Sequence, residues 1–359
     1  MDCPHVPDLS YNGFGDRLRS RIGSQRLPLN GSMELNFRCN LRCQHCYVAY
    51  GHTGIPGKRE LSLSEIQRIL DEATDEGCLW MLLTGGEPLM RRDFKEIYLY
   101  AKRKGLLLTL FTNGTLITPE IADFLAEYRP FNLEITLYGR TQETYEKVTG
   151  VPGSHKRCYQ GIELLMERQV ILGLKTIVMT LNRHEFEAMR DYARNDLGVP
   201  FRFDGMINSE LNGSGKPLDV RLAADQLIQI ENQEPKYHDA WLEYLGRCKG
   251  QERDSKFLYS CGAGIRSFHI DPYGQLSLCL MARQRSYDLR SGSFKDGWNK
   301  FLYAERFKTV EKPIICGECE LRNLCTWCPG WSYIEHADSS LPVGFLCQVA
   351  LSRQQVLAI

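Results

Sequence analysis

Six short apolar segments alternate with amphipathic ones between Ser32 and about Gln233, and this rhythm limits the possible folds more than any other feature of the sequence. The apolar segments are MELNF (33–37), LWMLLT (79–84), LLLTLF (106–111), NLEITL (132–137), LGLKTIVMT (172–180) and PFRFDGMI (200–207). Their length and β-branched or aromatic content predict strands. Between them, LSEIQRILDEATDE, DFKEIYLYAKRKG, TPEIADFLAEY, CYQGIELLMERQ and EFEAMRDYARND place apolar residues at helical spacing. Ser62 or Ser64 can cap the first helix, Gly105 closes the second and Pro119 stands near the first turn of the third. Apolar strands separated by helices argue for a parallel sheet with its helices outside, in an open doubly wound sheet or a barrel. Six units at this spacing suit an α/β fold of the partial (β/α)6, TIM-like barrel type.

At 359 residues the chain exceeds what one hydrophobic core usually holds, so more than one unit is expected. Residues 1–31, rich in Gly, Pro, Arg and Ser and without a sustained period, read as a lead-in segment. The barrel is expected over 32–233, a charged helical connector over 234–255 and a cysteine-rich unit over 256–359. Lys+Arg and Asp+Glu both number 44, which removes the electrostatic drive of a nucleic-acid binder and favours a small-molecule or peptide partner. No run approaches the ~18 apolar residues of a membrane span. The opening MDCPHVPDLSYNGFGD lacks the basic and apolar regions of a signal peptide, so a cytoplasmic protein is expected.

Fourteen cysteines in such a chain point to metal, because cytosolic thiols are kept reduced. Ten fall into two groups, the triplet Cys39, Cys43 and Cys46 and a set of seven from Cys261 to Cys347. The triplet has the spacing CxxxCxxC on a loop directly behind the first strand. A [4Fe-4S] cluster normally takes four cysteines, so three leave one iron for an exchangeable ligand. Gly85-Gly86-Glu87-Pro88 follows the second strand. In parallel βα folds the ligand site lies at the C-terminal ends of the strands, so both motifs should open on one mouth. Taken alone, GGEP also reads as an ordinary strand-to-helix turn, its glycines allowing close backbone approach.

Together these motifs resemble the radical S-adenosylmethionine (radical SAM) superfamily, which carries CxxxCxxC after the first barrel strand and GGEP after the second. The resemblance spans Met33 to about Ile207. It implies that Cys39, Cys43 and Cys46 hold a [4Fe-4S] cluster, that S-adenosylmethionine chelates the fourth iron, and that the Gly85–Pro88 backbone orients its methionine amine. Reductive cleavage then yields a 5′-deoxyadenosyl radical, with the difficult chemistry belonging to the cofactor. Phe111-Thr112-Asn113-Gly114 resembles the family's third-strand TNG, a common turn in its own right, and EITLYG resembles its fourth strand. Thr136 is thereby placed near the cofactor, with Tyr138 where the family usually has an acid. His45 stands where the family has an aromatic whose backbone contacts adenine; a plain loop role is the alternative. Arg38 and Arg42 flank the triplet, either as solvated loop residues or as charges that raise the cluster potential.

The C-terminal cysteines, Cys261, Cys279, Cys316, Cys319, Cys325, Cys328 and Cys347, resemble the SPASM extension of radical SAM enzymes, which binds up to two auxiliary [4Fe-4S] clusters. The Cys325-x2-Cys328 spacing is one residue shorter than that pattern. The resemblance implies one cluster on Cys316, Cys319, Cys325 and Cys347, and a nearer one on Cys261, Cys279 and Cys328 with a further ligand open. A structural zinc site is the competing reading; its cysteine pairs usually stand ~12 or more residues apart. Cys3, Cys78, Cys158 and Cys248 stand alone, as buried small hydrophobes or as hydrogen-atom donors to a substrate radical.

The resemblance implies a radical SAM/SPASM oxidoreductase acting on a ribosomally made peptide by crosslinking, thioether formation or epimerisation. Sulfatase-maturase-like oxidation, or modification of a sugar or other small molecule, is the alternative, and a non-catalytic electron-transfer protein is a third. A low-potential flavodoxin or ferredoxin is the expected electron donor. Only about thirty residues precede the barrel, so a separate leader-binding protein is a candidate partner.

Overall fold

A computed structural model of the chain describes residues 11–48, 54–248, 256–310 and 314–358. Helix α1 (Tyr11–Ile22) leads into β1 (Asn30–Glu34). The chain then alternates α2 (Leu63–Asp75), β2 (Trp80–Thr84), α3 (Phe94–Arg103), β3 (Leu107–Thr112), α4 (Pro119–Glu127) and β4 (Asn132–Thr136). After the helix pair α5 (Gln142–Thr149) and α6 (Ser154–Glu167) come β5 (Gly173–Ile177), α7 (Phe186–Asp191) and β6 (Phe201–Asp204).

The six strands lie in chain order, each parallel to the next. A doubly wound sheet would reverse direction part-way. Here right-handed crossovers that all advance the same way put the helices between these strands on one face, and the other face curls round a lumen. The alternation along each strand records this: Met81 and Leu83 are buried beneath helices, whereas Trp80, Leu82 and Thr84 are half-buried on the inner face. Ser62, not Ser64, caps α2, in a reciprocal box with Glu65. Thr118 caps α4 ahead of Pro119.

Helices α8 (Ala224–Asn232) and α9 (Pro235–Cys248) follow the sixth strand. The chain then returns to the same sheet: β7 (Ser267–Ile270) pairs parallel to β1, and β8 (Gln275–Ser277) and β9 (Tyr287–Asp288) extend it antiparallel. One nine-stranded sheet thus runs from the barrel into the cysteine-rich region, with β1 in its interior. Short α10 (Phe294–Asp296) packs against α2, α11 (Tyr303–Arg306) follows it, and α12 (Pro329–His336) and α13 (Gly344–Leu357) end the chain, with α13 against α8.

Three differences from the sequence expectation have physical causes. β1 lies three residues before the MELNF segment, because Asn30–Met33 are paired on both sides while Leu35 to Arg38 turn away to meet the second loop. α1 falls within the lead-in region. Gly13 and Gly15 weaken its helical signal, and the contact of Phe14 with Trp80, at 6.2 Å between ring centroids, is tertiary. α5 was not expected, since its eight residues show only Tyr145 and Val148 as large buried apolar groups.

Candidate active site

The cavity at the C-terminal ends of the strands encloses about 470 Å³. Cys39, Cys43 and Cys46 line it, together with Gly85 and Gly86, His45 and Thr136. The strand ends therefore bring the two loop motifs to one mouth.

The glycines serve a closer approach than ligand access alone. A Cβ on Gly85 would stand 2.3 Å from the Asn36 carbonyl, and one on Gly86 would stand 2.3 Å from that of Arg38. Gly85 also has φ +133°, a conformation that L side chains rarely adopt. This contact lets Gly86 N–H donate to Asn36 O at 2.8 Å and Glu87 N–H to Arg38 O at 2.9 Å, while Asn36 Nδ2 returns a bond to Glu87 O at 3.0 Å. The root of the cysteine loop is thus stitched to the GGEP turn.

Glu87 is fully buried, Pro88 is buried beside it, and neither lines the cavity. The Glu87 carboxylate accepts from Leu89 N, Thr112 Oγ1 and Asn113 N. It therefore braces the second strand-end loop against the third. Burial pushes its carboxyl up to about 7, with the three donors opposing. Asn113 continues the brace, donating to Asn40 Oδ1 at 3.0 Å and to Cys39 Sγ at 3.8 Å.

Unforeseen α5 forms the other support of the cysteine loop. Arg42 N–H and Gln44 N–H donate to the carbonyls of Thr149 and Val148, on the last turn of that helix. Arg38 forms a two-pronged ion pair with Glu60.

Burial pushes the Cys39 thiol up to about 12 and the Cys46 thiol up to about 11, and raises Cys43 well above the ordinary range. Three such sulfurs become thiolates only when a cation replaces their protons. A metal cluster supplies that charge, so the donor set fits one. Tyr138 lies in side-chain hydrogen-bonding contact with Cys43 and packs against His45 at 5.3 Å between centroids. The buried His45 Nδ1 has no partner among the described residues, and burial holds the imidazole down at about 4, hence neutral.

Sequence reasoning missed Lys175. It extends from β5 beside Thr136 into the same cavity, over the face of Phe111 at 3.0 Å. Burial lowers its ammonium to about 7, although Glu134 at 3.6 Å works the other way. Arg202 already clasps Glu134, which leaves Lys175 as the cation facing the cavity. A lysine in LGLKTI was visible, but only the barrel's curvature sets it next to Thr136.

Below this cavity lies another of about 780 Å³, at the N-terminal ends of the strands. Ser32, Leu82 and Leu280 border both. Leu280 follows Cys279, and three residues later Arg283 reaches back to β1, where its Nη1 meets Glu34 Oε2 at 2.7 Å. The same buried carboxylate takes His269 Nε2 at 3.3 Å and the Tyr47 hydroxyl at 3.3 Å. Tyr47 adjoins Cys46, so one buried carboxylate joins the two cysteine-bearing loops.

The seven C-terminal cysteines separate into two sets. Cys316, Cys319, Cys325 and Cys347 line a cavity of about 130 Å³. Burial and then the neighbouring sulfurs raise the Cys316 thiol to about 11. Cys261, Cys279 and Cys328 act on one another electrostatically, and burial raises Cys279 to about 11. Cys328 stands directly before α12, and Cys325, only three residues earlier, belongs to the other set. Among the described residues no trio of His, Cys, Asp or Glu is gathered tightly enough for a single metal ion.

Cys78 and Cys158 lie in the core and not on the cavity wall. Cys248 ends α9, half-buried, and Cys3 lies outside the described residues. No helix among the described residues is long and apolar enough to cross a membrane.

Residues 33–193 match the radical SAM superfamily. The chain is 27% identical over 344 residues to the AdoMet-dependent heme synthase of Methanosarcina barkeri, covering 88% of this chain and 95% of that one. It is 28% identical over 310 residues to the mycofactocin maturase MftC of Mycolicibacterium smegmatis, covering 81% and 74%. Streptococcus suis SuiB bound to S-adenosylmethionine superposes with a TM-score of 0.67 at 15% identity, over 95% of this chain and 81% of that one. The AdoMet- and peptide-bound anSMEcpe superposes at 0.62 and 19% identity, over 91% and 96%. Both share the barrel-plus-SPASM fold.

Proposed function

The chain belongs to the radical SAM superfamily, and from that premise we propose that it is an S-adenosylmethionine-dependent enzyme that modifies a peptide by hydrogen abstraction inside the barrel. The observation that carries this reading is the convergence of Cys39, Cys43 and Cys46 with the GGEP loop, Thr136 and Lys175 on one cavity. When bound, the cluster and S-adenosylmethionine supply a reductively generated carbon radical.

The chain's residues hold and shield the reactants. Cys39, Cys43 and Cys46 would hold the cluster through their thiolates. The Gly85–Pro88 turn positions the methionine end, the Gly86 backbone facing the cavity while Glu87 and Pro88 fix the turn from behind. Lys175 and Thr136 would take the cofactor carboxylate, an ammonium and a hydroxyl that can both donate from the cavity wall. His45 stays neutral and packs at the adenine end, and Leu41, Ile177, Met206 and Leu280 keep the cavity apolar.

The cavity beneath, bordered by the same Leu280, supports a peptide substrate. It gives an extended chain room to pass the reaction point, and the named relatives MftC and SuiB, the latter also solved with its precursor peptide, act in the same sense. The similarity to heme synthases over 88% of the chain favours a second reading, a tetrapyrrole substrate in the same space. The two C-terminal sets support two auxiliary [4Fe-4S] clusters, one on Cys316, Cys319, Cys325 and Cys347 and one on Cys261, Cys279 and Cys328. A flavodoxin- or ferredoxin-type donor, and a separate leader-binding protein, complete the proposal.

The test is anaerobic reduction of the reconstituted protein with S-adenosylmethionine. The wild type should release 5′-deoxyadenosine. Cys39→Ala, Cys43→Ala and Cys46→Ala should each abolish it while C-terminal iron is retained. Absence of product from fully loaded wild type, or cleavage by the variants, would overturn the reading.

A further inference from the structure

One buried cation has no role in the site described above. Arg306, the last residue of α11, is 9% exposed, and its Nε and Nη1 are buried without a hydrogen-bond partner among the described residues. Guanidinium stays charged in proteins. Leaving such an ion buried and unpaired costs several kcal/mol, so its place implies an anion that the described carboxylates do not supply.

The surroundings indicate where that anion lies. A Cβ on Gly264 would stand 3.1 Å from Arg306 Cβ and 2.5 Å from Leu278 Cδ2. The arginine therefore leaves its helix between the turn that follows Cys261 and the residue that precedes Cys279. Cys261 is the ionisable group that acts on it electrostatically. The carboxylate beside it in sequence, Glu305, is engaged by Arg285 at 2.7 Å. Three thiolates on a cube outweigh the positive charge of its core, and the set Cys261, Cys279 and Cys328 would carry that excess into a partly buried site.

We propose that Arg306 is a positioning residue for the nearer auxiliary cluster, donating its Nε and Nη1 hydrogens to the sulfur atoms around Cys261 and balancing the negative charge of the three-cysteine site. It would answer the missing fourth cysteine with charge in place of a ligand. The inference rests on the auxiliary-cluster reading. Two consequences follow: the cation raises this cluster's reduction potential, and it slows loss of iron.

The test uses reconstituted full-length protein carrying Cys39→Ala, Cys43→Ala and Cys46→Ala, so that only C-terminal iron reports. Arg306→Met and Arg306→Lys are compared by redox titration followed by electron paramagnetic resonance, and by the rate of iron transfer to a chelator. The signal lost in Cys279→Ser marks the nearer cluster. Arg306→Met should lower the midpoint potential of that cluster alone and speed its iron loss roughly 10–100-fold, and Arg306→Lys should restore much of the potential. Circular dichroism confirms folding, and if the Met variant is unfolded, the Lys and Gln variants decide by the order of their potentials. Unchanged potential and iron loss in a folded Arg306→Met protein would overturn the role of Arg306. Absence of iron from the triplet-deficient parent would instead overturn the auxiliary-cluster reading.

Discussion

Arg283→Met is expected to break the tie between the two cysteine-bearing loops. Glu34 is 1% exposed on β1, between Arg283 at 2.7 Å and His269 at 3.3 Å. Burial alone would raise its carboxyl, but Arg283 and His269 together bring it from 4.5 down to about 2. At ~1.36 kcal/mol for each pH unit, that fall amounts to about 3 kcal/mol in favour of the ion. Because the folded value lies below the unfolded one, this stability is present above about pH 4.5 and disappears as pH falls toward 2. Burial also lowers the His269 imidazole, so it gives Glu34 no compensating positive charge near neutral pH. Removing Arg283 then leaves a buried carboxylate unpaired, at a cost of roughly 3–5 kcal/mol. Thermal unfolding followed by circular dichroism near neutral pH measures this loss. In the double variant Glu34→Gln, Arg283→Met, the unpaired charge is gone, so about 2–3 kcal/mol should be recovered relative to additivity. Strict additivity, or a loss below about 1 kcal/mol for Arg283→Met, would refute the coupling.

Gly86→Ala places a Cβ 2.3 Å from the Arg38 carbonyl, so it should displace the cysteine loop and reduce iron at the triplet, read as iron per chain against the C-terminal iron. Gly246→Ala in α9 meets nothing within 4 Å and should instead raise stability by about 0.5–1 kcal/mol in the same melts. Arg353, 4% exposed on α13, binds Glu231 and the Leu324 carbonyl and stacks on Trp241 at 4.3 Å. Arg353→Leu should cost roughly 3–5 kcal/mol by leaving Glu231 unpaired, and should hasten iron loss from the set containing Cys347 on the same helix.

Much of this protein follows from local pattern. The strand segments and most helices could be read from period and caps, because each buries one face and needs only its own sequence to show it. The triplet and GGEP could be placed on one mouth because a parallel sheet puts all its strand ends on the same side. The second cysteine group was legible as two sets only through resemblance, since Cys325 and Cys328 are only three residues apart yet belong to different sets, α12 beginning just after Cys328.

Other features depend on partners far away in the chain. α5 supports the cysteine loop through backbone carbonyls, which leave no mark in side-chain periodicity. Glu87, expected to orient a ligand, is turned inward by donors from Thr112 and Asn113 on the next strand end. Lys175, Glu34 and Arg306 carry charges whose meaning depends on burial, and burial is decided by packing. The sequence by itself determined a parallel βα sheet, a triplet of cysteines beside a glycine turn and a cysteine-rich C-terminal region. Tertiary structure alone decided that β7 joins β1 in one continuous sheet, and with it that the loop after Cys279 reaches back to the strand that carries the triplet. Strand pairing across more than two hundred residues is a long-range choice, made by the hydrogen bonds and buried charges that the assembled sheet satisfies together.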